Sequence, residues 1–256
     1  PGRGPVSDRY EFAHRGPAWA YEVTLEPHDR LWLFGLELPA RAAPGADMTA
    51  DYQMISRQPV RTRQRYRLVS YTDFVAMGGA NDAELRAASQ LPLGFNPLTV
   101  ELGQRWRTEA RTDEAILARA LAFFRERRFE YTLTPPLTGQ HAADDFLFNT
   151  RRGFCEHFAS AFAIAMRAAG VPARVVTGYQ GGEMNPVDGF WVVRQADAHA
   201  WAEVWLSERG WVRVDPTAAA VPTRLDAGLA AAVPPDSSSR GGDEDTCDQE
   251  GDPEWR

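Results

Sequence analysis

Arg151-Arg152-Gly153-Phe154-Cys155-Glu156-His157-Phe158-Ala159-Ser160-Ala161-Phe162 is the stretch from which the rest of the chain can be organised. It reads as a loop that turns at Gly153 and enters a helix at Cys155. Apolar residues at Phe158, Phe162, Ala165 and Met166 continue that helix until Gly170 and Pro172 stop it. Cys155 then lies in the first helical turn. There the unpaired backbone N–H groups and the positive end of the helix dipole favour a thiolate, which is the nucleophilic form of the side chain. Two readings stand side by side: a catalytic nucleophile, or a small buried hydrophobe of the kind free cysteines often are.

Downstream the apolar period changes from 3.6 to 2. Ala173 to Tyr179, Phe190 to Gln195, Ala198 to Leu206 and Trp211 to Asp215 are strand-like runs, with Ser207 to Gly210 a tight connection. The cysteine helix is therefore expected to pack on an antiparallel sheet, an α+β arrangement. A thiolate needs a base, and the base needs a group to orient it. His157, at i+2 on the helix, points away from Cys155. His14 and His28 fall in the N-terminal region and His141 in a loop, which leaves His199 at the head of a strand. Asp215, sixteen residues on and at the end of the next strand, is the candidate orienting carboxylate, with Asp197 the alternative. Singly, a strand histidine is commonly structural and an aspartate before Pro216 commonly a turn former. In the order Cys, His, Asp they reproduce papain-like thiol catalysis, with a shorter gap to the base.

Residues 9 to 75 read as a small β-rich module, with runs at Arg9 to His14, Ala18 to Leu25, Leu31 to Leu36 and Gln64 to Phe74. Its Trp19, Trp32 and Phe34 suit either a core or a ligand groove. Breaks between Ala76 and Asn96 place a boundary there, with a short helical piece near Asn81 to Gln90. Thr112 caps an amphipathic helix that runs to Arg127-Arg128, and Phe129 to Leu133 is a short strand ended by Pro135-Pro136. The Gly-rich Gln180 to Gly189 is a mobile rim or an ordinary hairpin loop. The expected division is a β-rich module over 1–80, a core over 81–222, and a flexible acidic tail or linker over 223–256.

The formal net charge is −7, yet Asp236 to Arg256 alone hold eight acidic residues against two Arg, so the body is close to neutral. No basic patch points to nucleic acid. All 28 basic residues are Arg, so the chain offers no ε-amine of its own. Cys155 and Cys247 are not expected to form a bridge, and no metal or cofactor is expected. No apolar run approaches the roughly 18 residues that span a bilayer. With Pro1 as its first residue the chain reads as an excised fragment, whose localisation its termini do not reveal.

Four segments carry a specific resemblance: Gly153-Phe154-Cys155-Glu156-His157-Phe158-Ala159, Gly170-Val171-Pro172-Ala173-Arg174-Val175-Val176-Thr177-Gly178-Tyr179, His199-Ala200-Trp201-Ala202-Glu203-Val204-Trp205 and Gly210-Trp211-Val212-Arg213-Val214-Asp215-Pro216-Thr217. They resemble the transglutaminase-like core of the transglutaminase superfamily. Within it they are similar to the TgpA-type bacterial membrane proteins, in which such a core lies in an extracytoplasmic region flanked by membrane helices. The likeness covers about residues 112 to 222, and residues 9 to 75 resemble the β-rich region that precedes that core. It implies a papain-like core with Cys155 as nucleophile, His199 as general base and acid, and Asp215 as orienting carboxylate. It further implies a glutamine carboxamide donor on a protein or peptide, an amine acceptor, and a membrane-anchored protein facing the periplasm. Nothing matches the calcium-binding segments of the animal enzymes. Hydrolysis by the same residues, for example on cell-wall peptides, and a non-catalytic scaffold are the rival expectations. Trp201, Glu203, Tyr179 and Asp197 are candidate supporting residues. The Cys155 backbone N–H is the expected first oxyanion donor, and the second is not identifiable from sequence.

Overall fold

The computed structural model describes residues 13–14, 16–49, 51–75 and 82–222. The expected tail, Cys247 and most of the Arg9 to His14 run lie outside them. Three antiparallel strands, Ala173–Tyr179, Ala198–Leu206 and Gly210–Val214, form the sheet on which the core is built, with Ala198–Leu206 in the centre. The alternation read from sequence fixes its two faces. Ala200, Ala202, Val204 and Leu206 are buried on one face, and His199, Trp201, Glu203 and Trp205 project from the other. The helix Cys155–Ala168 lies on the first face and buries Phe158, Ala159, Phe162, Ala165 and Met166.

Two further helices close this core. Pro97–Glu109 crosses the cysteine helix at Gly103, where a Cβ would stand 2.3 Å from the Ala165 carbonyl oxygen. Only a residue without a side chain permits that approach. The N-terminus of this helix is capped from a distance: buried Asp144 accepts from the Leu98 N–H at 3.0 Å, the Thr99 N–H at 2.8 Å and the Thr99 hydroxyl at 2.6 Å. The second helix, Asp113–Glu126, begins at Thr112, whose hydroxyl accepts the Ala115 N–H at 3.2 Å, and it buries Ile116, Ala120, Phe123 and Phe124.

The N-terminal module has its own small core of Leu33, Ala43, Ala46, Met48, Met54, Val60, Tyr66 and Leu68. Ala18–Leu25 pairs with Gln64–Tyr71, while Trp32–Leu33, Ala46–Met48 and Met54–Ser56 form a second sheet. The run expected from Leu31 to Leu36 shrinks to two residues because side-chain hydroxyls replace the ladder. The Tyr66 hydroxyl accepts the Phe34 N–H at 3.0 Å and donates to the Phe34 carbonyl at 2.8 Å; the Tyr21 hydroxyl accepts the Leu36 N–H at 2.8 Å.

Three other expectations are corrected. The turn before the cysteine lies at Arg151, in the left-handed region at φ 52°, rather than at Gly153. Gly153 instead joins Arg152 in a two-residue strand paired in parallel with Glu130–Tyr131, all that remains of the Phe129 to Leu133 strand. Phe190 to Gln195 contributes no strand to the main sheet: Trp191–Val192 folds back on Glu183–Met184, so the Gly-rich segment is a hairpin.

Candidate active site

Cys155 is the first residue of its helix, where the helical backbone offers N–H groups without intrahelical acceptors. The approach is fixed from both sides. The Glu130 N–H donates to the Arg151 carbonyl at 2.9 Å, and the Thr132 N–H to the Gly153 carbonyl at 2.9 Å. At the helix start, His157 Nδ1 accepts the Phe154 N–H at 3.4 Å, and its ring packs against Phe154 and Phe146. His157 thus shapes the cysteine loop and does not meet the thiol. Cys155 is a free thiol and is buried.

His199 and Asp215 come together across the sheet. The register Leu206↔Gly210 and Ala202↔Val214 carries the strand end at Asp215 to the head of the central strand. His199 Nε2 and Asp215 Oδ2 are 2.7 Å apart, with the imidazole fully buried. The other carboxylate oxygen accepts the N–H groups of Thr217 and Ala218 at 3.0 and 3.1 Å and so caps the short helix Pro216–Ala220. Because Asp215 takes the Nε2 proton, the lone pair of a neutral His199 sits on Nδ1, which has no oxygen or nitrogen partner among the described residues. The neighbour that remains for the imidazole is the Cys155 thiol.

The electrostatics follow from these contacts. Burial pushes the Cys155 thiol up, but hydrogen bonds with His199 and the Ala200 N–H, the imidazolium charge and the Tyr131 hydroxyl together bring it below its ordinary value. Burial pushes His199 down, and against it the hydrogen bonds and charges of Asp215 and Cys155 raise it to about 9. Burial likewise raises Asp215, and the hydrogen bond and charge of His199 with the two backbone N–H groups bring it below the usual carboxylate range. A lowered thiol facing a raised imidazole is the condition for a thiolate–imidazolium pair.

Around these three, Trp201 lies near-parallel to the His199 ring, with centroids 6.3 Å apart. Glu203 is paired with Arg174 at 2.7 Å and is no free acid. Tyr179 donates to Gln195 Oε1 at 2.9 Å and packs its ring against Phe34 of the N-terminal module. Asp197 stays away from the imidazole: its Oδ2 accepts the Arg194 N–H at 2.8 Å and closes the turn before the strand. Tyr131, buried beside the thiol, had no sequence signal, because its place depends on its pairing with Gly153, 22 residues later. Among the described residues no group of His, Cys, Asp and Glu is arranged to hold a metal ion.

Comparison with known proteins agrees with this architecture. Residues 101–216 match the transglutaminase-like superfamily, and residues 1–75 match the TgpA N-terminal domain. The crystal structure of the periplasmic domain of TgpA from Pseudomonas aeruginosa matches with a TM-score of 0.85 at 39% identity, covering 90% of this chain and 81% of that one. The chain belongs to the transglutaminase-like superfamily. A curated relative, a protein-glutamine gamma-glutamyltransferase of Pseudomonas aeruginosa, is 40% identical over 230 residues, which is 90% of this chain and 34% of that protein. The chain therefore spans about a third of the length of that relative. An uncharacterized protein of Bacillus subtilis, YebA, is 40% identical over 89 residues, or 33% of this chain and 12% of its own length.

Proposed function

We propose that the chain is a thiol acyltransferase that forms a thioester on Cys155 from a glutamine carboxamide and passes the acyl group to an amine. The observation that carries this reading is the line Cys155–His199–Asp215, in which a fully buried imidazole is held at Nε2 and leaves Nδ1 for the sulfur. The thiolate attacks the carboxamide carbon, and the carbonyl electrons move onto oxygen. The oxyanion is met by the Cys155 backbone N–H at the helix start and by the Tyr131 hydroxyl, already beside the sulfur. Collapse expels ammonia with the proton from His199 Nδ1. An incoming amine then attacks the thioester, gives its proton to Nδ1 and releases the thiolate, leaving an isopeptide bond. Asp215 keeps the ring oriented throughout and offsets its charge.

The named activity of the Pseudomonas relative supports the same reaction class. Likeness to a periplasmic domain supports a place outside the cytoplasmic membrane, on a membrane-anchored protein. Residues 1–80 would serve as the accessory module, 81–222 as the catalytic core and 223–256 as a linker. The test is incorporation of a labelled amine into a glutamine-containing protein beside ammonia release, with Cys155→Ala as control. Incorporation lost in the variant is the expected result. Ammonia without incorporation would refute transfer in favour of hydrolysis, and activity that survives Cys155→Ala would refute the thioester.

A further inference from the structure

The outer face of the sheet holds a chain of contacts that begins in the N-terminal module and ends at the catalytic histidine. Arg213 stands two residues before Asp215 on the last strand. Its guanidinium lies 4.1 Å above the Trp201 ring and forms an ion pair with Glu37 of the module. Trp201 in turn lies alongside His199. The ring is seated over Gly178, which faces His199 in the register; a Cβ at 178 would stand 2.8 Å from the indole. Glu37 itself is held in place. The Tyr21 hydroxyl accepts the Leu36 N–H, the Leu36 carbonyl accepts the Ser70 hydroxyl at 3.2 Å, and the Leu38 carbonyl accepts the Tyr71 N–H at 3.2 Å. Leu38 adopts φ 45°, a left-handed conformation that costs energy for a leucine and is imposed by these anchors.

A partly exposed ion pair adds little to stability, so the consequence of this one lies in where it puts a charge. Arg213 has two carboxylates within its reach, Glu37 and, electrostatically, Asp215. Glu203, its register partner, is engaged by Arg174. We propose that Glu37 is a positioning residue for the catalytic centre: by taking the Arg213 guanidinium, it leaves Asp215 wholly to His199 and keeps Trp201 seated against the imidazole. The N-terminal module thereby sets the charge state of a histidine that it does not touch. Among the described residues, the groups that act on His199 are Asp215 and Cys155, with Tyr131 bonded to the thiol, and Arg213 acts in turn on Asp215. Arg213 is the only cation among them and Glu37 is its counter-ion.

This inference rests on Cys155 and His199 being the reactive pair, and two readouts separate the two ideas. The first is the His199 titration followed by NMR. The second is the pH dependence of Cys155 alkylation by iodoacetamide, which needs no substrate. In Glu37→Gln the freed guanidinium turns to Asp215, so His199 titrates below its wild-type position. Alkylation on the acid side of the profile falls roughly threefold or more, the factor for half a pH unit. In Glu37→Gln/Arg213→Met both return towards the wild-type positions, because the competing cation is gone. A Glu37→Gln protein with both profiles unmoved, or a double variant that stays shifted, overturns the inference. A wild-type protein with no accelerated alkylation below the ordinary thiol range would overturn the reactive pair itself, and this inference with it.

Discussion

Replacing Asp215 by asparagine tests the centre at its most constrained point. The carboxylate makes three contacts with two oxygens: Oδ2 to His199 Nε2, and Oδ1 to the N–H groups of Thr217 and Ala218. An asparagine has one acceptor oxygen. If that oxygen keeps the two backbone N–H groups, its NH2 faces Nε2, and His199 must move its proton to Nδ1. The lone pair then points away from the sulfur. Loss of the correct tautomer in a comparable Ser-His-Asp centre lowers kcat by about 10⁴, and a fall of about a thousandfold or more at neutral pH is expected here. The titration should move as well. His199 is raised from the ordinary 6.5 to about 9, a displacement worth roughly 3 kcal/mol, shared between Asp215 and Cys155. A raised histidine contributes stability that is fully present below the unfolded value and is lost as pH climbs through about 9. The gap in thermal midpoint between wild type and Asp215→Asn should therefore be widest at mildly acidic pH and close above about 9. The assay is kcat/KM for amine incorporation against pH, run beside thermal melts. An alkaline limb that stays near 9 in the variant, or a stability gap that does not change with pH, would refute the role given to Asp215.

Three other perturbations follow from the packing. Gly103→Ala sets a Cβ against the Ala165 backbone oxygen and should cost about 1–3 kcal/mol, read as a lower midpoint in urea with the slope unchanged. Asp144→Ala removes the acceptor for three donors at the start of the Pro97–Glu109 helix and should destabilise by about 2 kcal/mol, also read by denaturant unfolding. Gly178→Ala pushes on the Trp201 indole without touching the core; catalysis and the His199 titration should change while the melting temperature stays close to wild type.

Much of the core was legible because it obeys local rules. The cysteine helix follows from its apolar spacing and from Gly170 and Pro172 beyond it, and the central strand from a strict alternation that the structure keeps from Ala200 to Leu206. Asp215 was readable as a candidate, but its contact with His199 depends on a register set by the Ser207–Gly210 turn, where a slip of one residue would have reversed the face. The module's edge is not legible locally, because the hydroxyls of Tyr21 and Tyr66 take over backbone pairing from fifteen and thirty-two residues away. Tyr131 and the turn at Arg151 depend on a two-residue parallel pair, too short for any periodicity. Each of these depends on long-range pairing that no window of sequence contains.

The two faces of the strand Ala198–Leu206 also divide how substitutions along it will be felt. At 200, 202, 204 and 206 the side chains are buried in the helix-facing core, and changes there will reduce the amount of folded protein. At 199, 201 and 203 the side chains form the imidazole and the ring and ion pair behind it, so changes there are expected to act first on the charge and orientation of His199. One nine-residue segment thus answers to two sets of packing demands, interleaved at every second residue.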